Sequence, residues 1–238
     1  MKALLLAAGL GTRLRPLTDR TPKCLVPVLG KPLLEYWLDA LLSGGISHVL
    51  VNTHHLSDQV EAFRKASRWR DRVHLVYEAE LLGTGGTILA NRAFFGRAAF
   101  MVVHADNLSR FSTAAFLDAH EHRPRGAAMT MMTFDTDVPE SCGIVESNAV
   151  GLVVGYHEKV RNLPASCGRR ANAAVYIFEP EAMALIASIE RPFVDLSTEI
   201  IPRLMGRIAT FHNDDYHRDI GTPEGLRRAE AEYARRAT

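Results

Sequence analysis

Apolar runs of strand length alternate with amphipathic stretches of helix length over the first 133 residues, and this alternation limits the fold more than any other feature. The runs fall at residues 3–7, 48–52, 73–77, 99–103 and 127–132, and the helical stretches begin near Pro32, Leu56, Thr84 and Ser112. Strands covered on both faces read as nearly continuous apolar runs, so the pattern predicts a mainly parallel sheet with helices on each side, an α/β/α three-layer class. Beyond Phe134 the rhythm changes. Short β-like pieces at residues 143–146, 152–156 and 173–178 are separated by Pro, Gly and Asn, which predicts a small β-rich, antiparallel insertion. Helical stretches at 180–189 and 196–205, a strand at 208–212 and a last helix opened by Thr222, Pro223 and Glu224 complete the chain. On that last helix Leu226, Ala229 and Tyr233 share one face. No linker, low-complexity tract or fixed-period repeat breaks the 238 residues, so a single domain is expected.

Composition excludes several classes. Lys and Arg number 28 against 27 Asp and Glu, a net charge of +1, so no global field draws the chain to nucleic acid or anionic lipid. Any anion site must be local. No apolar run exceeds six residues, well short of a membrane-spanning helix. The apolar start of the chain, ended abruptly at Gly9, reads as a buried first strand rather than a leader. Cys24, Cys142 and Cys167 are odd in number and without a CxxC pattern, which suggests neither a disulfide framework nor a zinc cage and fits a reducing cytoplasm.

The loop after the first strand carries the strongest chemical signal. Ala7, Ala8, Gly9, Gly11 and Thr12 would bring backbone N–H groups close to phosphate oxygens, with Arg13, Arg15 and Lys23 adding positive charge. A third Gly in dinucleotide spacing and a GKS or GKT are both missing, so neither common phosphate-loop motif is present. A tight turn with solvated arginines accounts for the same residues equally well.

The stretch LAAGLGTRLRPLT, followed by TPKCLVPV and GKPLLEY, resembles the N-terminal signature of the sugar-1-phosphate nucleotidyltransferases, and the likeness extends over nearly the whole chain. It continues through Leu82-Gly83-Thr84-Gly85-Gly86, Asp106 after a strand, Glu158-Lys159, Asn172-Ala173, and Asp219-Ile220-Gly221-Thr222-Pro223. The chain departs from the family pattern at Cys24 and Val160, where Pro is usual, and at His104-Ala105-Asp106-Asn107, where Gly-Asp is usual. The resemblance implies a Rossmann-like core, with residues 1–133 as the nucleotide half and 134–238 as the sugar half and final helix. It implies a reaction in which a sugar 1-phosphate attacks the α-phosphorus of a nucleoside triphosphate, giving an NDP-sugar and pyrophosphate.

Residue by residue, the resemblance makes Arg13 and Lys23 the cations at the triphosphate and Asp106 and Asp219 the ligands of Mg²⁺ or Mn²⁺. Ala7, Ala8, Gly9, Gly11, Thr12, Gly83 and Thr84 would bind the nucleotide, and Glu158, Lys159 and Asn172 the sugar phosphate. Asp106 follows an apolar run, at the strand end where open parallel sheets place ligands; spacing alone favours cap or turn roles for it and for Asp219, and the resemblance reverses that. His54-His55, His120 with His122, Asp214-Asp215 and the paired arginines of the last helix are assigned no chemistry. The short length and the GTGGT and DLSTEIIPRL stretches look most like those of mannose or heptose 1-phosphate guanylyltransferases, a likeness that implies GTP with one of those sugar phosphates. Uridylyl, thymidylyl and phosphocholine cytidylyl transfer remain alternatives, as does a non-catalytic nucleotide-sugar sensor, which the presence of both aspartates and both cations disfavours. A dinucleotide-dependent oxidoreductase is disfavoured by the missing third Gly. Neither a nucleic-acid nor a membrane partner is expected, and a homo-oligomer is left open.

Overall fold

The computed structural model describes residues 1–160, 164 and 167–237. Along the chain run β1 (Lys2–Leu6), β2 (Pro27–Val28), β3 (Lys31–Pro32), α1 (Leu33–Ser43), β4 (His48–Thr53), α2 (Ser57–Ala66), β5 (Val73–Tyr77), α3 (Gly83–Ala90) and α4 (Arg92–Phe95). Then follow β6 (Phe100–His104), β7 (Asn107–Arg110), α5 (Thr113–Glu121), β8 (Met129–Asp135), β9 (Gly143–Ser147), β10 (Val153–Glu158) and β11 (Arg170–Phe178). The last elements are α6 (Pro180–Ala187), β12 (Ile208–His212), β13 (Tyr216–Asp219) and α7 (Pro223–Ala237). These elements group into two compact units that interleave along the sequence, residues 1–81 with 103–113 and 215–238, and residues 82–102 with 114–214.

In the first unit β1 pairs parallel with β4, setting Leu4 beside Leu50, and β4 pairs parallel with β5, setting Val51 beside Leu75. Ala3, Leu4 and Leu5 are all fully buried, as a strand covered on both faces requires. Helix α1 buries Leu33, Leu34, Trp37, Leu38, Leu41 and Leu42, a stripe at the helical period. The Trp37 indole N–H donates to the Asn107 carbonyl at 2.9 Å and so ties α1 to the start of β7. Helix α7 opens as expected: the Gly225 N–H donates to the Thr222 hydroxyl oxygen at 3.0 Å. Its Tyr233 stacks edge-on against Tyr36 and Tyr216, with ring centroids 5.4 and 5.6 Å apart.

In the second unit the nine-residue β11 runs antiparallel to β8 and to β9, β9 and β10 form a hairpin, and β12 lies parallel to β8. The antiparallel insertion expected beyond residue 134 is thus present. Phe95, Phe100 and Phe178 stack in a row, 4.3 and 5.6 Å between centroids, inside the core of this unit. One expectation needs correction. Residues 196–205 do not form one helix: Leu196–Ile200 is a single π turn and Pro202–Leu204 a 3-10 turn, because Pro202 has no N–H to continue the ladder. Strands β2, β3, β7 and β13 are short and carry too little apolar pattern to be read from the sequence. Among the described residues, no helix is long and apolar enough to cross a membrane.

Candidate active site

The first loop leaves β1 under tight control. The Ala7 N–H donates to Asn52 Oδ1 at 2.7 Å, and Asn52 Nδ2 donates in turn to Glu78 Oε1 at 3.1 Å, both side chains being buried at the ends of β4 and β5. Gly11 takes the left-handed backbone conformation, φ 63°, and its carbonyl accepts from the Leu14 N–H at 2.9 Å and from the Thr18 hydroxyl at 2.7 Å. A Cβ at position 11 would stand 2.8 Å from Thr18 Cγ2, so neither the conformation nor the space admits a side chain. The His55 ring donates from Nε2 to the Thr18 carbonyl at 3.0 Å. His55 carries no signal in the sequence beyond a histidine pair, yet it braces the loop. Gly9, Thr12 and Arg13 lie exposed along it.

Asp106 and Asp219 meet through a strand pairing that no local pattern announces. The Ala105 N–H donates to the Leu6 carbonyl at 3.1 Å, which sets the chain after β6 beside the end of β1. Strand β7 then pairs antiparallel with β13 in a register that puts Asp219 opposite Asn107, next in the chain to Asp106. Lys23 opens a 3-10 turn, and its side chain is only 8% exposed. Its ammonium donates to Asp106 Oδ2 at 2.8 Å and stands 3.8 Å from Asp219 Oδ1. Arg13 Nη2 reaches Asp219 Oδ2 at 3.3 Å, and the Gly221 N–H donates to Asp219 Oδ1 at 2.6 Å. A Cβ on Gly221 would come within 2.5 Å of Arg13 Nη2, so a bare backbone there makes room for the guanidinium. Burial alone would raise the Asp106 carboxyl; the Lys23 ammonium, the charge of His104 and Arg13 outweigh it and hold that carboxyl below its ordinary range. The result is two carboxylates sharing one buried ammonium, an all-oxygen donor set of the kind that hard divalent cations take.

In the second unit the Gly83 to Gly86 segment is held against residues 192–196. The Gly85 N–H donates to the Val194 carbonyl at 2.7 Å, the Thr84 hydroxyl donates to Asp195 Oδ2 at 3.3 Å, and the Leu196 N–H donates to Thr84 Oγ1 at 2.7 Å. The two stretches singled out in the sequence as GTGGT and DLSTEIIPRL are therefore neighbours. Glu158 closes β10, where it accepts from the Tyr156 hydroxyl at 2.5 Å and pairs with the Lys159 ammonium at 3.2 Å. Asn172 Nδ2 donates to the hydroxyls of Tyr176 at 2.7 Å and Tyr156 at 3.3 Å, and its Oδ1 accepts from the Ala174 N–H at 2.9 Å. That last bond sits where the β8–β11 register shifts between Asn172 and Tyr176. Burial raises both tyrosines well above their ordinary range, so each keeps its O–H. Tyr156 and Tyr176 were not singled out in the sequence; the period of two that sets Tyr156 and Glu158 on one face of β10 is the signal that could have found Tyr156.

Outside these clusters the structure gives the remaining candidates structural work. His54 donates from Nδ1 to the Glu78 carbonyl at 2.7 Å, and His120 lies buried between Thr130 and Glu179. Burial pushes the Cys24 thiol up to about 12, which leaves it inert as a nucleophile.

A parallel sheet with a glycine-bearing loop after its first strand and paired carboxylates and cations beyond the strand ends defines an α/β protein of the Rossmann-like class. The chain belongs to the nucleotidyl transferase family, whose profile matches residues 2–236. It is 32% identical over 98% of its length to the mannose-1-phosphate guanylyltransferase of Mycobacterium tuberculosis, covering 64% of that protein. It is 29% identical over 86% of its length to the UTP–glucose-1-phosphate uridylyltransferase of Synechocystis sp., covering 55% of that one. Against the mannose-1-phosphate guanylyltransferase catalytic subunit beta of Xenopus tropicalis it is 30% identical over 94% of its length and covers 62%. The chain thus spans between about half and two thirds of the length of these curated relatives. Among solved structures, HddC from Yersinia pseudotuberculosis in complex with GMP-PN superposes with a TM-score of 0.78 at 22% identity, over 98% of this chain and 99% of that one. Apo-UDP-glucose pyrophosphorylase does so at 0.80 and 19%, over the full length of both. These two likenesses show a shared mixed α/β fold with a central, mostly parallel sheet. The family and fold read from the sequence are both borne out.

Proposed function

We propose that this chain is a single nucleotidyltransferase domain that transfers a nucleotidyl group from a nucleoside triphosphate to a sugar 1-phosphate. A phosphate oxygen of the sugar 1-phosphate attacks the α-phosphorus in line, a new P–O bond forms, and the bond from α-phosphorus to the bridging oxygen breaks to release pyrophosphate. The observation that carries the reading is the Lys23 ammonium lodged between Asp106 and Asp219, 2.8 and 3.8 Å away. Reaction between two anions requires alignment and charge neutralisation more than covalent chemistry, and this cluster supplies cations and a cation site together.

Backbone groups of Ala7, Ala8, Gly9, Gly11 and Thr12 cradle the triphosphate, with Arg13 and Lys23 facing the charge that builds on the departing pyrophosphate. Gly83 and Thr84 face the base. Lys159 holds the sugar phosphate, while Glu158 and Asn172, fixed by Tyr156 and Tyr176, hold sugar hydroxyls. Nucleotide contacts thus fall in residues 1–133 and sugar contacts in 134–238. The carboxylates of Asp106 and Asp219 fit Mg²⁺ or Mn²⁺ and would hold it. When bound, that ion supplies electrostatic stabilisation of the phosphates.

GTP with mannose 1-phosphate or a heptose 1-phosphate is the favoured substrate pair, supported by the guanylyltransferases among the relatives. Transfer from UTP to glucose 1-phosphate is the second reading, supported by the Synechocystis relative. Pyrophosphate release measured for GTP, UTP, dTTP and CTP against mannose, glucose and heptose 1-phosphates and phosphocholine tests both. The highest kcat/KM is expected with GTP and a mannose or heptose 1-phosphate; release with no combination would overturn the activity itself.

A further inference from the structure

The β9–β10 hairpin carries a second cluster of ligating side chains that the proposed reaction does not use. Glu146 on β9 and His157 on β10 meet with Oε1 and Nε2 2.8 Å apart, and Cys167 Sγ stands 4.0 Å from the same ring nitrogen. Carboxylate oxygen, imidazole nitrogen and sulfur all lie within 4.8 Å of one another. We propose that Glu146, His157 and Cys167 form a binding site for a thiophilic divalent cation of the Zn²⁺ class, which pins the segment at Cys167 to the β9–β10 hairpin.

Three features of the hairpin build the site. Its register sets Gly155 opposite Glu146, with an irregularity between Val153 and Gly155 that re-aims the strand. A Cβ at position 155 would lie 3.2 Å from Glu146 Cβ, Cδ and Oε2, so the bare backbone there is what lets the glutamate lie across β10 toward His157. All three side chains are half-buried, which leaves access for an ion and a remaining water position.

The donor chemistry separates this cluster from Asp106 and Asp219. Sulfur and imidazole are the ligands of Zn²⁺ and its transition-metal neighbours, whereas an all-carboxylate pair suits Mg²⁺. Bonds of about 2.0–2.3 Å in a tetrahedral site space the donors roughly 3.5 Å apart. Small side-chain rotations that open the 2.8 Å Glu146–His157 pair and draw in Cys167 from 4.0 Å bring the donors to that value. Binding takes the thiolate form of Cys167 and the Nδ1–H tautomer of His157, so the Nε2–H···Oε1 bond is given up, the ring proton resides on Nδ1, and one proton leaves Sγ for solvent as the Zn–S bond forms. Among the described residues no other group of three His, Cys, Asp or Glu side chains converges in this way. The wide sequence spacing of the three hides the site from motif reading. Glu158 and Lys159 follow His157 directly, so the ion would also fix the end of β10 that bears them.

Titration of the full, metal-stripped chain with Co²⁺ tests the proposal without any reference to turnover. One equivalent should produce the near-ultraviolet thiolate-to-cobalt band, and Zn²⁺ but not Mg²⁺ should abolish it. Cys167→Ser should remove the band, while Cys24→Ser and Cys142→Ser keep it. His157→Gln should weaken Co²⁺ binding tenfold or more. In case Cys167→Ser does not fold, Zn²⁺ protection of Cys167 from iodoacetamide in the unmodified chain, mapped by mass spectrometry, gives the same answer. Absence of the band, its persistence in folded Cys167→Ser, unchanged affinity in His157→Gln, or alkylation of Cys167 at the same rate with Zn²⁺ would each overturn the site.

Discussion

Lys23 is the residue on which the proposed chemistry turns, because one buried ammonium neutralises two carboxylates and is placed to meet a third anion. Contact made mainly as charge develops affects kcat, whereas contact made equally in the ground state affects KM. Lys23→Ala should therefore lower kcat by roughly a hundredfold or more, the scale of a lost preorganised electrostatic contact. Lys159, exposed and paired with Glu158, should act earlier: Lys159→Ala should raise KM for the sugar phosphate and leave KM for the nucleotide nearly unchanged. Steady-state kinetics with each substrate varied in turn decide between these roles, and weakened nucleotide binding in Lys159→Ala would remove Lys159 from the sugar phosphate. Asp106→Asn keeps the shape of the side chain but not its charge. Turnover should fall nearly to background with an unchanged circular dichroism spectrum, and full activity in this variant would rule out the paired-aspartate site.

At the scale of elements, the first loop depends on Gly11 taking a conformation that other residues avoid. Gly11→Ala adds a Cβ at φ 63° and 2.8 Å from Thr18, which should cost about 1–2 kcal/mol in urea unfolding and raise KM for the nucleotide. Helix α5 offers a pH test. His120 near its end donates from Nε2 to Glu179 Oε1, 3.1 Å away, and its Nδ1 accepts from the Thr130 hydroxyl, 2.7 Å away. Burial, helped by the Arg123 guanidinium and opposed by Glu179, pushes the ring down to about 4. An unfolded histidine protonates near 6.5, so between those values the unfolded chain binds the extra proton. Stability should then be complete above about pH 6.5 and fall by roughly 2–3 kcal/mol as pH drops to about 4. Chemical unfolding at stepped pH checks this, and His120→Gln should flatten the slope in that interval.

For the whole molecule, the ion proposed at Asp106 and Asp219 should not be needed for folding itself. Strands β1, β4 and β5 and helix α1 bury their own apolar faces, and Asp106 and Asp219 already share Lys23 as a counter-charge. Chelation with EDTA should thus abolish pyrophosphate release, with recovery on adding Mg²⁺ or Mn²⁺, while the first unit's fold persists by circular dichroism. Turnover that continues in excess EDTA would mean that the aspartates serve only to hold Lys23 and Arg13.

The sequence by itself determined whatever depends on local periodicity and local chemistry. Buried β1, the stripe of α1, the Thr222 cap of α7 and the glycine loop were legible because burial and backbone conformation there are written within a few adjacent residues. Resemblance to a family then named Arg13, Lys23, Asp106 and Asp219 together. Only the tertiary structure decided how they meet: Lys23 and Asp106 are 83 residues apart in the chain and Arg13 and Asp219 are 206 apart, and the β7–β13 register sets Asp219 opposite Asn107, next to Asp106. Register is a property of two strands at once, and strands of four residues leave no pattern to read it from. The same reason hid the Tyr156, Asn172 and Tyr176 network and the convergence of Glu146, His157 and Cys167, each assembled by pairings across β8 to β11 or by the return of the chain to them. Helical periodicity at residues 196–205 was real but lost to Pro202, whose missing N–H and ring no amphipathic face can offset.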